Sequence, residues 1–144
     1  VNWLPLVLTL CATAAYANAC AGEDAYLIAR NYDVSHLWQA RQRGIALGFF
    51  TLLAYSTLLV RLTDWWQVLA PVAAFGAALS FFGLLFDLYL NKRRGLAWHY
   101  TGTDLSTAAT DKKVAQLGIS GPVFVGLKAV CVVLCSVLAV VLAT

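Results

Sequence analysis

Residues 123–144, VFVGLKAVCVVLCSVLAVVLAT, run for the length of a membrane span with a single formal charge, Lys128. A helix needs about 20 apolar residues to cross a hydrocarbon core of about 30 Å, and its amides must satisfy one another there because lipid offers no partner. Residues 3–19, 45–60 and 65–86 read the same way and carry no formal charge. The four stretches fill more than half of the 144 residues. The expected fold is all-α: a polytopic membrane helical bundle of four transmembrane helices at about 3–20, 44–61, 64–91 and 122–144. They form a single membrane domain, 1–144, with polar links at about 21–43 and 92–121.

Composition agrees. Hydrophobic residues make up 61% and charged residues 12%, about half the charged share of soluble domains. A net charge of +3, held in clusters at segment ends rather than along one stripe, gives nucleic-acid binding no support. The lipid bilayer is the expected partner, with a homo-oligomer or a membrane complex left open.

The chain opens on Val1 and contains no Met, for which a start codon read literally as Val is preferred to processing. Small residues at Ala17, Asn18 and Ala19 resemble a signal-peptide cleavage site, but residues 1–4 supply no Lys or Arg for a positive n-region. The first segment is therefore expected to remain as a helix. Basic residues then set orientation. Arg30, Arg41 and Arg43 lie in the first link, and Lys92, Arg93, Arg94, Lys112 and Lys113 in the second; the opposite side has Arg61. Positive-inside bias puts both long links in the cytoplasm and the termini outside.

Thr63 or Asp64 is suited to cap the third helix, and Trp3, Trp65, Trp66 and Trp98 to sit in aromatic belts. Arg43 and Arg61 bracket a short second span, where both are expected to snorkel. Because lipid gives no hydrophobic drive for helices to associate, close contact must do so. Gly44 and Gly48 form a GxxxG pair, and Ala73, Gly76, Ala77, Ser80 and Gly83 make a small-residue stripe. An internal seam is the simpler reading of both, an oligomer interface the sharper one.

Chemistry is confined to the polar links. Residues 33–43, DVSHLWQARQR, offer His36 and Arg43 at helical spacing; residues 86–102, FDLYLNKRRGLAWHYTG, offer Asp87, Asn91, Arg94 and His99, followed by Asp104. Histidines and carboxylates at one interface are the residue types that bind a divalent metal or a phosphate-bearing headgroup. No HExxH, nucleophile elbow, glycine-rich phosphate loop or paired-cysteine knuckle accompanies them. No cofactor, metal or catalytic residue is therefore assigned. The plainer expectation is structural: Asp87 pairs with Lys128, or with Arg41 or Arg43, because an unpaired charge inside the bilayer is costly. Residues 103–115 are expected to rest as a short helix on the membrane surface.

The order of His36 and Arg43, then residues 86–102, then Ser106 and Asp111 resembles small multipass membrane proteins of unassigned function found in phage and metagenomic sequence sets. That resemblance implies a shared polar junction of Asp87, Asn91, Arg94 and Gly102, and no activity. In size and crowded apolar helices the chain is also similar to phage holins, without the charged tail many of them carry. The leading functional expectation is a noncatalytic integral membrane protein: a subunit, an accessory factor or a homo-oligomeric membrane-perturbing protein. The alternative is a membrane-interface binding protein or metal-dependent enzyme built on the junction of His36, Asp87, Asn91 and His99.

Overall fold

A computed structural model describes residues 3–30, 32, 36–61, 63–100 and 116–144, without the side chains of residues 36 and 37. Within them the chain is all-α. Four long helices follow one another: α1 (Leu4–Ala29), α2 (His36–Val60), α3 (Leu69–Arg93) and α4 (Gly121–Leu142), with a 3-10 turn (Trp65–Val68) leading into α3. All four are long and apolar enough to cross a membrane.

Local signals explain the helix ends. Pro5 and Pro122 stand in the first turns of α1 and α4, where a missing N–H is one of the unpaired donors anyway. Between α2 and α3 the Gln67 Oε1 accepts from the Thr63 and Asp64 amides at 3.0 and 3.4 Å, so Asp64 stands at the start of the 3-10 turn rather than of α3 itself, which follows Val68 without a side-chain cap. The end of α3 is a Schellman closure: the Leu96 N–H donates to the Asn91 carbonyl at 2.8 Å and the Gly95 N–H to Lys92 at 3.2 Å. Gly95 takes φ +70° to make it, a conformation other L residues resist.

α1 and α2 overrun the spans read from the sequence, while α3 and α4 keep close to theirs. α1 continues past residue 20 to Ala29, and α2 begins at His36 rather than near 44. The end of an apolar run does not by itself stop a helix, so each continues past its apolar stretch as a polar extension.

α3 is the central helix. It packs most extensively on α4 and α1, while α2 lies against α1 and α3. Tyr16 of α1 meets Phe82 of α3 and, edge-on, Phe50 of α2, whereas Gly76 and Gly83 meet Cys135 and Lys128 of α4 in reverse order. Thus α1 and α3 run parallel, and α4 antiparallel to both. Ala70, Ala74, Ala77 and Ala78 are fully buried, a face narrow enough for backbones to approach and gain dispersion contact without a solvent drive. The small stripe therefore splits. Ala77 serves the core, and Gly76 and Gly83 serve the α4 seam. Of the GxxxG pair, Gly48 faces Phe75 but Gly44 faces open space.

Three threonines inside the apolar stretches are satisfied locally, whereas the buried Tyr55 and Ser136 hydroxyls have no hydrogen-bond partner among the described residues. Thr9, Thr13 and Thr51 are fully buried, and each hydroxyl donates to the carbonyl four residues earlier, at 2.7–2.9 Å. Exposed aromatics mark both ends: Trp3, Trp65 and Trp66 at one, Tyr26, Tyr32, Trp38 and Trp98 at the other. The 25 residues of α3 span about 37 Å at 1.5 Å per residue, enough for a core of about 30 Å and a turn beyond.

Candidate functional site

Most charge gathers at the end of the bundle where α1 and α3 finish and α2 and α4 begin. There α1 contributes Asp24, on the face that carries Thr13, Ala17 and Cys20 into the core. Its carboxylate accepts from the Arg43 guanidinium at 2.6 Å and from the Gln39 amide at 3.1 Å, both from α2. Gln39 and Arg43 are one turn apart, so a single helical face supplies both donors. The Asp24 side chain is 3% exposed and that of Arg43 13%. Arg43 also lies over the Phe86 ring, 4.6 Å from its centroid, where the ring's negative face attracts the cation. Arg43 does not snorkel toward water; its counter-ion is beside it in the interior.

On the other side of α3, Asp87 pairs with Lys128 of α4. Of the partners expected for Asp87, the structure selects Lys128. The ammonium also lies 4.2 Å from the centroid of Phe124 and 3.4 Å from the Gly83 carbonyl. Gly83 lies against the Lys128 side chain, and a Cβ there would meet it at an ordinary contact distance of 3.8 Å. This pair is wetter, with side chains 29% and 19% exposed. Phe86 and Asp87 are adjacent residues of α3 but serve different interfaces.

Asn91, one turn beyond Asp87, is buried and spends its amide on the chain that follows: Nδ2 donates to the Tyr100 carbonyl at 3.0 Å and to the Trp98 carbonyl at 3.4 Å. This folds residues 96–100 onto the end of α3. The His99 carbonyl then presses on the start of α4, where a Cβ added at Gly121 would lie 2.1 Å from it. No side chain caps that helix, so the carbonyl sits where the amides of the first turn carry partial positive charge. The His99 Nδ1 is buried without a hydrogen-bond partner among the described residues. Arg94 is exposed at the α3 cap. The His36 side chain and Asp104 lie outside the described residues, as do Gly102, Ser106, Asp111 and the surface helix expected over residues 103–115.

The site residues thus divide. Asp87, Asn91 and His99 collect along α3 and the start of α4, and Arg43 belongs to the α1–α2–α3 side. Asp24 and Gln39 are the members that sequence reasoning missed. A signal existed: Asp24 continues the buried face of Thr13, Ala17 and Cys20 by helical spacing, beyond the last purely apolar residue. Among the described residues no group of three or more His, Cys, Asp or Glu is placed to hold a metal ion. All four cysteines are free, with Cys11 and Cys131 exposed on apolar surfaces. No protein-family model, characterised protein or solved structure matches the chain.

Proposed function

We propose that this chain is a noncatalytic integral membrane protein, a small four-helix subunit or accessory factor, with its two long links in the cytoplasm and its termini outside. One observation carries this reading: the acids within the bundle, the buried Asp24 and the half-buried Asp87, are each held by a base from a neighbouring helix. A carboxylate committed to a guanidinium or ammonium fixes helix register and is a poor general base or metal ligand. The Thr9, Thr13 and Thr51 hydroxyls, bonded to their own helices, do not present the polar lining a pore requires. Against a shared metal junction stands the use of Asp87 by Lys128 and of Asn91 by two carbonyls.

Purification from native membranes after crosslinking tests the subunit role. A defined partner at fixed stoichiometry is expected. Recovery of only self-crosslinked oligomers, together with collapse of the membrane potential on expression, would replace this reading with a membrane-perturbing one. Reporter fusions to the second link and to residue 144 test orientation, the link being expected inside.

A further inference from the structure

Arg93 stands apart from the other basic residues at this end. It belongs to the last turn of α3, yet helical side chains lean toward the N-terminus of their helix. It accordingly reaches back to the body of α1. Its Nη2 donates to the Asn18 Oδ1 at 2.8 Å, and Gly22 lets the guanidinium lie flat on α1, since a Cβ there would come 3.1 Å from Nη1. Gly22 is seven residues short of Ala29, the end of α1, a distance of about 10 Å. The guanidinium therefore sits at the level of the buried pair at Asp24, near the edge of the apolar layer, rather than out beyond the helix ends.

This contact is on the outside of the bundle; Asn18 and Arg93 are both exposed. Among the described residues no carboxylate is within ion-pair reach of Arg93. The acids that could neutralise this end, Asp24 and Asp87, are paired inward, leaving Glu23 as its exposed acid among the described residues. Lys92, Arg94, Arg30 and Arg41 are exposed at the same end. Arg30 stacks over Tyr26, 4.6 Å from the ring centroid, on the polar extension of α1. An oriented guanidinium with unspent donors, at the boundary of the lipid and in a positive field, matches the planar fork that phosphate oxygens accept.

We propose that the outer seam of α1 and α3, with Arg93 positioned by Asn18 and Gly22, binds the headgroup phosphate of an anionic phospholipid. The inference rests on the membrane placement argued above, not on the subunit role. A zwitterionic headgroup offers the same phosphate but brings a cation into the field of Lys92, Arg94 and Arg30, and binds less well.

The test is native mass spectrometry of the full chain in a nonionic detergent, titrated separately with phosphatidylglycerol, phosphatidylcholine and inorganic phosphate. Four proteins are compared: the unaltered chain, Arg93→Gln, Gly22→Leu and Arg41→Gln. Gly22→Leu keeps the charge but displaces the guanidinium; Arg41→Gln removes an equal charge elsewhere at the same end. Far-UV circular dichroism and a single elution peak establish that each variant is folded. We expect the unaltered chain to prefer phosphatidylglycerol. Arg93→Gln should weaken that binding at least fivefold, Gly22→Leu should weaken it in the same direction, and Arg41→Gln should change it less than twofold. Equal losses for Arg93→Gln and Arg41→Gln, or binding unchanged by both seam variants, would overturn the site. So would inorganic phosphate binding as well as the lipid. A chain that stayed soluble without detergent would instead overturn the membrane placement, so the two failures are distinguishable.

Discussion

The two ion pairs lie at the same end of one bundle and differ in surroundings. Asp24 and Arg43 meet where three helices converge, with a second donor from Gln39 and an aromatic floor from Phe86. Asp87 and Lys128 meet in the seam of two helices, and nearly a third of the Asp87 side chain is exposed. Burial raises the cost of leaving either partner alone, so the first pair should be brittle and the second forgiving. The difference also has an architectural cause: α1 is covered by α2 and α3, whereas α4 rests almost entirely on α3 and turns Val130, Leu134, Val137 and Val141 outward.

Asp24→Asn should break that comparison most strongly. It strands the Arg43 guanidinium in the interior, and unfolding in mixed detergent and dodecyl sulfate should register a loss of about 3–5 kcal/mol. The same measurement on Asp87→Asn should lose less, about 1.5–3 kcal/mol, because Lys128 keeps its Phe124 ring and some water. Equal losses at the two sites would show that burial does not separate them.

Smaller effects sharpen the contrast between covered and open faces of the bundle. Asn91→Ala removes the amide that donates to the Trp98 and Tyr100 carbonyls and should cost about 1 kcal/mol. Protease sensitivity following Trp98 should rise with it. Gly44→Ala meets nothing within 4 Å and should cost no stability, gaining up to about 1 kcal/mol from helix propensity. A large loss at Gly44 would mean that a second chain covers it.

What was legible in the sequence was whatever depends on runs of like residues. Four charge-poor stretches of spanning length give four helices, and an acid and a base near one interface, Asp87 and Lys128, give a pair. The extent of the helices was not legible, because Glu23, Asp24 and Arg43 resemble the edge of a span when only hydropathy is counted. Their role depends on which face of which helix they occupy. Asp24 and Arg43 are distant along the chain, and only the antiparallel packing of α1 and α2 brings them together. The GxxxG pair forms only half of an internal seam for the same reason: spacing shows that two glycines share a face, not that another helix lies opposite both.

Everything in this comparison presupposes a bilayer around the outward-facing residues, and sedimentation of expressing cells' membranes after an alkaline carbonate wash tests that most directly. The chain should stay in the pellet and be released only by detergent. Its recovery in the aqueous supernatant as a monodisperse monomer would contradict the account, because the exposed faces of α2 and α4 would then have to be stable against water.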